Sequence, residues 1–310
     1  MPAVQDIRRA VPHAHIDWVV ERGFAPLVQR CEGVRHVIPC EIRRWRKAPL
    51  AAATRREWRV FRETLKREQY DAIIDLQGLT KSALVARLAQ VATGGRRFAL
   101  ANQTAGSSYE APTRWLADVA IQVPEHSHAV HRSRHLCATA LGYDVPAVLR
   151  YGLARGAASR GDAAGSPRPV VFVHGTSRAD KSWPDTHWVA LGKRLLAQGA
   201  RIALPHGSEE ERVRSEAIAG ALGADAEVWP RLSLDALTDA MADSAGVIGV
   251  DSGLSHIAVA LNLPHVQIYN FDTAWRTGPV GSARQRSVFA QSTPGVDAVL
   301  AEWGAVTMPP

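Results

Sequence analysis

Short apolar runs alternate with segments of helical periodicity along most of the chain. The clearest case is VIGVDSGLSHIAVAL, residues 247–261, where an apolar run ends at Asp251 and Leu254, Ile257, Ala258 and Leu261 then recur at helical spacing. This pattern predicts a buried strand, a tight turn and the start of a helix. The free N–H groups of such a helix favour an anion such as a diphosphate. An ordinary strand-to-helix connection, with Asp251 or Ser252 as N-cap, has the same local pattern.

The same alternation predicts an α/β protein with parallel sheets. Strands are expected at residues 15–20, 34–39, 70–76, 97–101, 170–173, 201–204, 227–228, 247–250 and 265–269. Helices are expected at residues 3–10, 24–29, 55–67, 81–90, 128–141, 188–196, 209–222, 234–242, from Ser252 onward, and 297–303, with a polar loop at 101–113. The chain opens on a helix, whereas such a domain normally opens on a buried strand whose following loop carries chemistry. A first strand and its loop are therefore expected to be missing upstream of Met1.

The chain length of 310 residues predicts two domains. Residues 152–169 are rich in Gly, Ala, Ser and Pro without periodicity, which is typical of a linker. The expected division is a first domain at 1–151, the linker at 152–169, a second domain at 170–290, and a C-terminal helix and tail at 291–310. A cleft between two such halves is a common ligand site.

The net charge of +7 is concentrated in one segment. Residues 43–67 carry ten basic and two acidic residues, a net charge of +8. The basic residues are Arg43, Arg44, Arg46, Lys47, Arg55, Arg56, Arg59, Arg62, Lys66 and Arg67. Such a patch indicates an acidic partner, which can be a nucleic acid, an anionic membrane surface or an acidic substrate. A solvated helix face explains part of it, because Trp58, Phe61 and Leu65 form an apolar stripe among the arginines.

The three cysteines, Cys31, Cys40 and Cys137, form no CxxC pair. They indicate neither a metal site nor a disulfide framework, and they suit a reducing cytoplasm. No apolar run reaches membrane-spanning length, and no signal-peptide pattern opens the chain.

Polar clusters follow three of the expected strands in the second half. They are HGTSRADKSWP from His174, PHGSE from Pro205 and DSGLSH from Asp251. In a parallel sheet these loops emerge at the same edge, where ligands bind. Lys181 and the helix N–H groups suit a diphosphate, and Glu209 suits ribose hydroxyls. Taken singly, Glu209 also fits a first-turn helix acid and His256 a packed histidine.

These stretches resemble a known family. HGTSRADKSWP, LPHGSEEER and VDSGLSHIAVAL look like the nucleotide-sugar half of the ADP-heptose glycosyltransferases, glycosyltransferase family 9. DWVVERGF, VIPCEIRRWRK, YDAIIDLQGLTKSA and HAVHRSRHL look like the acceptor half of the lipopolysaccharide heptosyltransferases. The resemblance covers nearly the whole chain. It implies a GT-B fold, with two Rossmann-like domains facing across a cleft and the first strand of the N-terminal domain missing.

The resemblance also implies a reaction and a set of site residues. The enzyme would transfer L-glycero-D-manno-heptose from ADP-heptose to the first Kdo of Kdo-lipid A, with inversion, at the cytoplasmic face of the inner membrane. The donor would be held by Thr176, Ser177, Lys181, Glu209, Leu232, Asp251, Ser252, Gly253 and His256, with Lys181 stabilising the leaving group. Arg43, Arg44, Arg46 and Lys47 would hold the acidic acceptor. No Asp-x-Asp motif is present, so neither a metal nor another cofactor is expected. Asp251, being anionic, is expected to orient the turn or contact a hydroxyl.

Two departures from the family pattern matter. The family's S-x-G-D loop, whose aspartate is the general base, is expected upstream of this chain, and the match at Ser159–Asp162 lies in the linker by chance. Loss of a general base typically costs about 10²–10⁴-fold in rate, so we expect ADP-sugar binding with very slow turnover, unless the natural protein begins further upstream. The second departure is Tyr269-Asn-Phe-Asp272, where relatives often carry a Tyr-Gly-Pro-Thr-type turn.

Other interpretations remain open at this point. A sugar-nucleotide epimerase of GT-B-like fold would act without an acceptor and would not need the basic patch. A non-catalytic ADP-sugar-binding protein would need no general base. A nucleic-acid-binding protein would use residues 43–67, but would need aromatic side chains for stacking, and only Trp45 and Trp58 are candidates.

Overall fold

The computed structural model describes residues 1–156 and 167–308. The chain divides into two compact units, Met1–Gly152 and Leu153–Pro310. The unit boundary falls where the linker was expected to begin. Within that expected linker, residues 157–166 lie outside the described part of the chain, and so does the Ser159–Asp162 match.

The first unit alternates five strands with seven helices among its residues. The strands are β1 (Ile16–Glu21), β2 (Val34–Cys40), β3 (Gln69–Ile74), β4 (Gln90–Leu100) and β5 (Val119–Ile121). The helices are α1 (Pro2–Ala10), α2 (Ala25–Gln29), α3 (Ile42–Trp45), α4 (Ala52–Leu65), α5 (Thr80–Leu88), α6 (Pro112–Leu116) and α7 (Ala129–Leu141). All strand pairings in this unit are parallel.

The sheet of the first unit is in two parts. β1 pairs with β2, and β3, β4 and β5 form a separate three-stranded sheet. A side-chain hydrogen bond joins the two parts. Tyr70 Oη on β3 donates to Asp17 Oδ2 on β1 at 2.9 Å. The Asp17 carboxylate also accepts two hydrogen bonds from the Arg35 guanidinium, at 2.9 and 2.8 Å. The missing strand expected from the sequence stays a prediction.

Strand β4 begins seven residues earlier than expected, and the predicted helix at 81–90 ends at Leu88 instead. The pairing of β3 with β4 shifts register between Tyr70 and Ala72. At this irregularity Gly95 passes so close to β3 that a Cβ there would lie 2.7 Å from Tyr70 O. Gly94 and Gly95 therefore lie within a bulged strand.

A buried ion pair joins the two helices α1 and α7. Asp6 and Arg134 are both 3% exposed, and two hydrogen bonds of 2.6 and 3.0 Å join the carboxylate to the guanidinium. The same guanidinium donates to the carbonyl of Pro146 at 2.6 Å. α7 ends as the sequence predicts, at Gly142 with φ of 72°, a backbone conformation that glycine adopts without strain.

The second unit contains six strands and six helices among its described residues. The strands are β6 (Pro169–Val173), β7 (Arg201–Leu204), β8 (Ala226–Val228), β9 (Gly246–Val250), β10 (His265–Tyr269) and β11 (Gln285–Phe289). The helices are α8 (Asp185–Leu196), α9 (Glu209–Leu222), α10 (Leu234–Ala242), α11 (Gly253–Ala260), α12 (Ala274–Thr277) and α13 (Val296–Thr307). A 3₁₀ turn, Ala179–Lys181, lies in the loop after β6.

These six strands form one parallel sheet in the order β11-β10-β9-β6-β7-β8. The order reverses between β6 and β9, which is the switch point at which open α/β sheets bind ligands. β6 and β9 approach closely at Gly249, where an added Cβ would lie 2.8 Å from Val173 Cβ. The hydrophobic core of the second unit includes Trp183, Trp188 and, from α13, Trp303. The C-terminal helix thus packs into the core of the second unit.

Among the described residues, the elements absent from the sequence prediction are short. They are α3, α6, α12, β5 and β11. The expected loop at 101–113 is correct up to Pro112, where α6 begins. Runs of three to five residues give too few repeats for periodicity to be recognised. All three cysteines are buried and free.

Candidate active site

The loops after β6 and β9 meet at the switch point of the second unit. Thr176, three residues beyond β6, donates from Oγ1 to the backbone oxygen of Asp251 at 3.5 Å. Asp251 directly follows β9 and is 8% exposed. The two polar clusters that the sequence placed after separate strands therefore come together.

A partly buried ion pair lies at the centre of this site. Lys181 Nζ donates to Asp251 Oδ2 at 2.6 Å, and the two side chains are 22% and 7% exposed. Lys181 has three donor protons, so the ammonium can bind Asp251 and an incoming anion together. The sequence predicted that Asp251 orients the turn or contacts a hydroxyl, and that role stays a prediction; the observed partner of its carboxylate is the Lys181 ammonium, which the sequence did not indicate.

The N-terminus of α11 adjoins the pair and is not capped by a side chain. Ser252 occupies the N-cap position without a side-chain capping bond. Its Oγ is buried and has no hydrogen-bond partner in the described part of the chain. Gly253 has open space where a Cβ would be, and His256 Nε2 lies 3.7 Å from Asp251 Oδ1. Free N–H groups, a hydroxyl and an ammonium are an arrangement suited to a diphosphate.

Two further residues, from β10 and the loop after it, contact this site but were not assigned to it from the sequence. Gln267 is fully buried and its Nε2 lies 3.4 Å from Asp251 Oδ1. Asn270 donates to the backbone on both sides of Lys181. A polar residue between the apolar Val266 and Ile268 of the strand HVQIY was the available signal for Gln267.

The remaining donor candidates lie around the edge of the sheet. Ser177 is exposed in the loop after β6, and Leu232 is half-buried in the coil before α10. Glu209 begins α9 with a side chain that is 74% exposed and paired with Arg212 one turn along. Among the described residues no contact joins Glu209 to Lys181 or Asp251. The side chain of Glu211, two residues further along α9, contacts the preceding loop: its Oε2 accepts a hydrogen bond from Gly207 N at 2.7 Å.

In the first unit, the basic cluster lies on and just after α3. Arg43, Arg46 and Lys47 are exposed, and Arg43 Nε lies 3.6 Å from Glu21 Oε1 in an ion pair. Arg44 is bound to the carboxylates of both Glu41 and Glu57, so its charge is partly neutralised locally. The four residues therefore lie together on the surface, but they differ in how far neighbouring carboxylates neutralise their charges.

Trp45 anchors this cluster to α4. It is 5% exposed, its Nε1 donates to Glu57 Oε2 at 2.9 Å, and its ring packs 5.5 Å from Trp58 and 5.3 Å from Phe61. The two tryptophans are thus used in packing. Trp45 is therefore not available to stack on a nucleic-acid base, whereas Trp58 is only half-buried.

No helix among the described residues has the length and apolar character needed to cross a bilayer. The described residues also contain no group of three or more His, Cys, Asp and Glu side chains placed to hold a metal ion.

Comparison with known proteins identifies the family. The model of "Glycosyltransferase family 9 (heptosyltransferase)" matches residues 58–297. Lipopolysaccharide heptosyltransferase 1 of Escherichia coli (strain K12) is 38% identical over 276 residues, which are 87% of this chain and 82% of that relative. The protein of the same name from Pseudomonas aeruginosa is 37% identical over 291 residues, which are 92% of this chain and 78% of that relative. The structure of E. coli heptosyltransferase WaaC with ADP has a TM-score of 0.82 at 34% identity, covering 98% of this chain and 92% of that one.

The fold is that of the GT-B heptosyltransferases, and the expected fold class is confirmed. The chain belongs to glycosyltransferase family 9, the family of the heptosyltransferases. It is therefore a glycosyltransferase, and the epimerase and nucleic-acid-binding interpretations are not supported. The roles of the individual site residues remain predictions.

Proposed function

We propose that this chain transfers L-glycero-D-manno-heptose from ADP-heptose to the first Kdo of Kdo-lipid A, with inversion, in synthesis of the lipopolysaccharide inner core. Two relatives bear the name lipopolysaccharide heptosyltransferase 1, and a similar structure contains ADP. The observation that carries the proposal is the Lys181–Asp251 pair beside the uncapped N-terminus of α11. It provides an ammonium and free N–H groups at the switch point of a parallel sheet.

The donor site acts on the leaving group. As the bond from the anomeric carbon to the diphosphate breaks, negative charge grows on the departing oxygen. Lys181 Nζ and the first-turn N–H groups of α11 are already aligned for that charge, so little reorganisation is needed. Asp251 holds the ammonium in place at 2.6 Å. Lysine and the helix dipole offset part of the negative charge of the diphosphate, and we propose that the transfer proceeds without a metal ion.

Inversion requires a single displacement by the acceptor hydroxyl from the face opposite ADP. A base takes the hydroxyl proton, and we assign that role to no residue of this chain. The acceptor is acidic, since Kdo has a carboxylate and lipid A has phosphates. Arg46 and Lys47 present exposed cations that suit it. Arg43 is also exposed but is paired with Glu21 at 3.6 Å, and Arg44 contributes less because two glutamates already bind it.

We further propose that the enzyme works as a peripheral protein on the cytoplasmic face of the inner membrane. The outer surface of α4 is basic, with Arg55, Arg59 and Arg62 exposed. Leu50 precedes this helix and is 83% exposed. Basic side chains beside an exposed apolar one suit an anionic lipid surface.

The deciding experiment incubates the protein with ADP-heptose, with and without a delipidated Kdo acceptor, and measures ADP release and the linkage of the product. The proposal expects acceptor-dependent ADP release, a product whose anomeric configuration is opposite to that of the donor, and activity that persists in excess EDTA. ADP-sugar converted without acceptor would support an epimerase. Binding of ADP-heptose without any turnover would support a non-catalytic sugar-nucleotide-binding protein.

A further inference from the structure

The loop after β10 is tied to the loop that carries Lys181. Asn270 Nδ2 donates to the carbonyl of Asp180 at 3.0 Å and to that of Ser182 at 2.9 Å. These residues flank Lys181 in the chain. One side-chain amide therefore binds the backbone on both sides of the lysine, using the two N–H donors that asparagine provides.

The amide of Asn270 is itself held in this orientation. Thr293 Oγ1 donates to Asn270 Oδ1 at 3.1 Å, which directs the amide nitrogen toward the lysine loop. At the end of that loop, Trp183 Nε1 donates to the carbonyl of Pro294 at 2.8 Å. Residues 293–294 thus support both Asn270 and the loop to which it binds.

We propose that Asn270 is a positioning residue, which holds the Lys181 loop so that Nζ lies ready for the diphosphate. Lysine has a long, flexible side chain, and a fixed backbone limits the positions its ammonium can occupy. A loop ordered before binding loses less conformational freedom when the ligand arrives. The inference rests on the proposed donor site.

The main test measures ADP affinity in a double-mutant cycle of Asn270→Leu and Lys181→Met. Leucine keeps the size of asparagine without its donors and adds no charge. We expect Asn270→Leu alone to weaken ADP binding by about tenfold, as for the loss of two neutral hydrogen bonds. In the Lys181→Met background the same change should have almost no further effect. An undiminished effect in that background would overturn the proposal, because a positioning residue acts through the lysine.

A second measurement does not depend on ADP. Trypsin cleaves after Arg178 and Lys181, and we expect Asn270→Leu to accelerate cleavage at these bonds with little change in melting temperature. Thr293→Val is a milder variant that removes only the hydroxyl supporting the amide, and it should change cleavage in the same direction. Unchanged cleavage in both variants would contradict the proposal.

Asn102→Leu is the matched control. Asn102 also donates to a backbone carbonyl, that of Val123 at 2.9 Å, but it lies in the first unit. The Asn102→Leu variant should have the same ADP affinity and the same rate of cleavage after Lys181 as the unmodified chain. If the unmodified chain binds no ADP, the proposed donor site fails, while the cleavage measurement still decides the role of Asn270.

Discussion

Lys181 is the residue on which the proposed donor site depends most directly. Its ammonium is held at 2.6 Å from a carboxylate that is nearly buried. Partial burial strengthens charge–charge interactions relative to the exposed surface. A single cation here can therefore contribute more to anion binding than the exposed cations elsewhere on the unit.

We expect Lys181→Met to weaken ADP binding by about 10- to 150-fold, because a hydrogen bond to a charged group contributes about 1.5–3 kcal/mol. Isothermal titration calorimetry measures the effect. Lys193→Met is the control, since Lys193 is exposed in the last turn of α8. Equal ADP affinity of the two variants would contradict the role given to Lys181.

Two buried histidines make the second unit sensitive to acid. His174 Nε2 lies 2.7 Å from Ser215 Oγ, and His265 Nδ1 lies 2.9 Å from Val247 O. Burial lowers the pKa of His174 to about 4 and that of His265 to about 4. Both rings are therefore neutral in the folded protein under conditions where an unfolded chain, with a histidine pKa of about 6.5, becomes protonated.

The unfolded state consequently binds more protons between about pH 6.5 and pH 4, so stability falls as the pH falls through this window. Each histidine contributes a slope of up to about 1.4 kcal/mol per pH unit. Urea unfolding at pH 7 and pH 5 measures the free energy of unfolding. The difference in this free energy between the two pH values should be smaller for His265→Gln than for the unmodified chain. His13→Gln, at an exposed position, should not change it. An identical pH dependence for all three proteins would refute this origin of acid sensitivity.

At the scale of elements, α1 is fixed to α7 by the Asp6–Arg134 pair. The two residues are 128 positions apart in sequence, and both are 3% exposed. Ala3 and Ile7 of α1 also pack with Cys137 of α7 in one apolar cluster. Periodicity predicted both helices, but no local pattern indicates that an aspartate in one lies opposite an arginine in the other.

We expect Asp6→Leu to lower the free energy of unfolding by about 3–5 kcal/mol, because it leaves a buried guanidinium without its carboxylate. Urea unfolding monitored by circular dichroism measures the change. Glu302→Leu breaks the more exposed Arg286–Glu302 pair and should cost less than about 1 kcal/mol. Similar losses in the two variants would show that burial of the first pair is not decisive.

At the scale of the whole molecule, charge is separated between the two units. The segment that carries a net charge of +8 lies entirely within the first unit. The proposed anion-binding arrangement around Lys181 lies in the second unit. This division matches a reaction in which one unit binds an acidic acceptor and the other binds a nucleotide-linked donor.

We expect the protein to bind vesicles of phosphatidylglycerol and not of phosphatidylcholine, with binding that weakens as salt increases. Each basic residue near an anionic surface contributes about 1 kcal/mol, so Arg55→Glu combined with Arg59→Glu should weaken binding at least about thirtyfold. The control reverses two exposed charges of the second unit, Lys193 and Arg284. Equal losses in the two double variants, measured by co-sedimentation, would argue against the α4 surface.

The sequence by itself determined the α/β class, most strands of the second unit, the turn at Asp251 and the concentration of charge at residues 43–67. These features depend on local periodicity and composition, which a single sequence displays directly. It did not determine that Lys181 contacts Asp251, that Gln267 lies against the same carboxylate or that Asn270 binds both sides of Lys181. The two partners in each of these contacts are 16 to 90 positions apart in the sequence. They meet because β10, β9 and β6 are neighbours in the sheet. Only the tertiary structure decides that strand order, so the turn recognised in the sequence became a site only when its partners were in place.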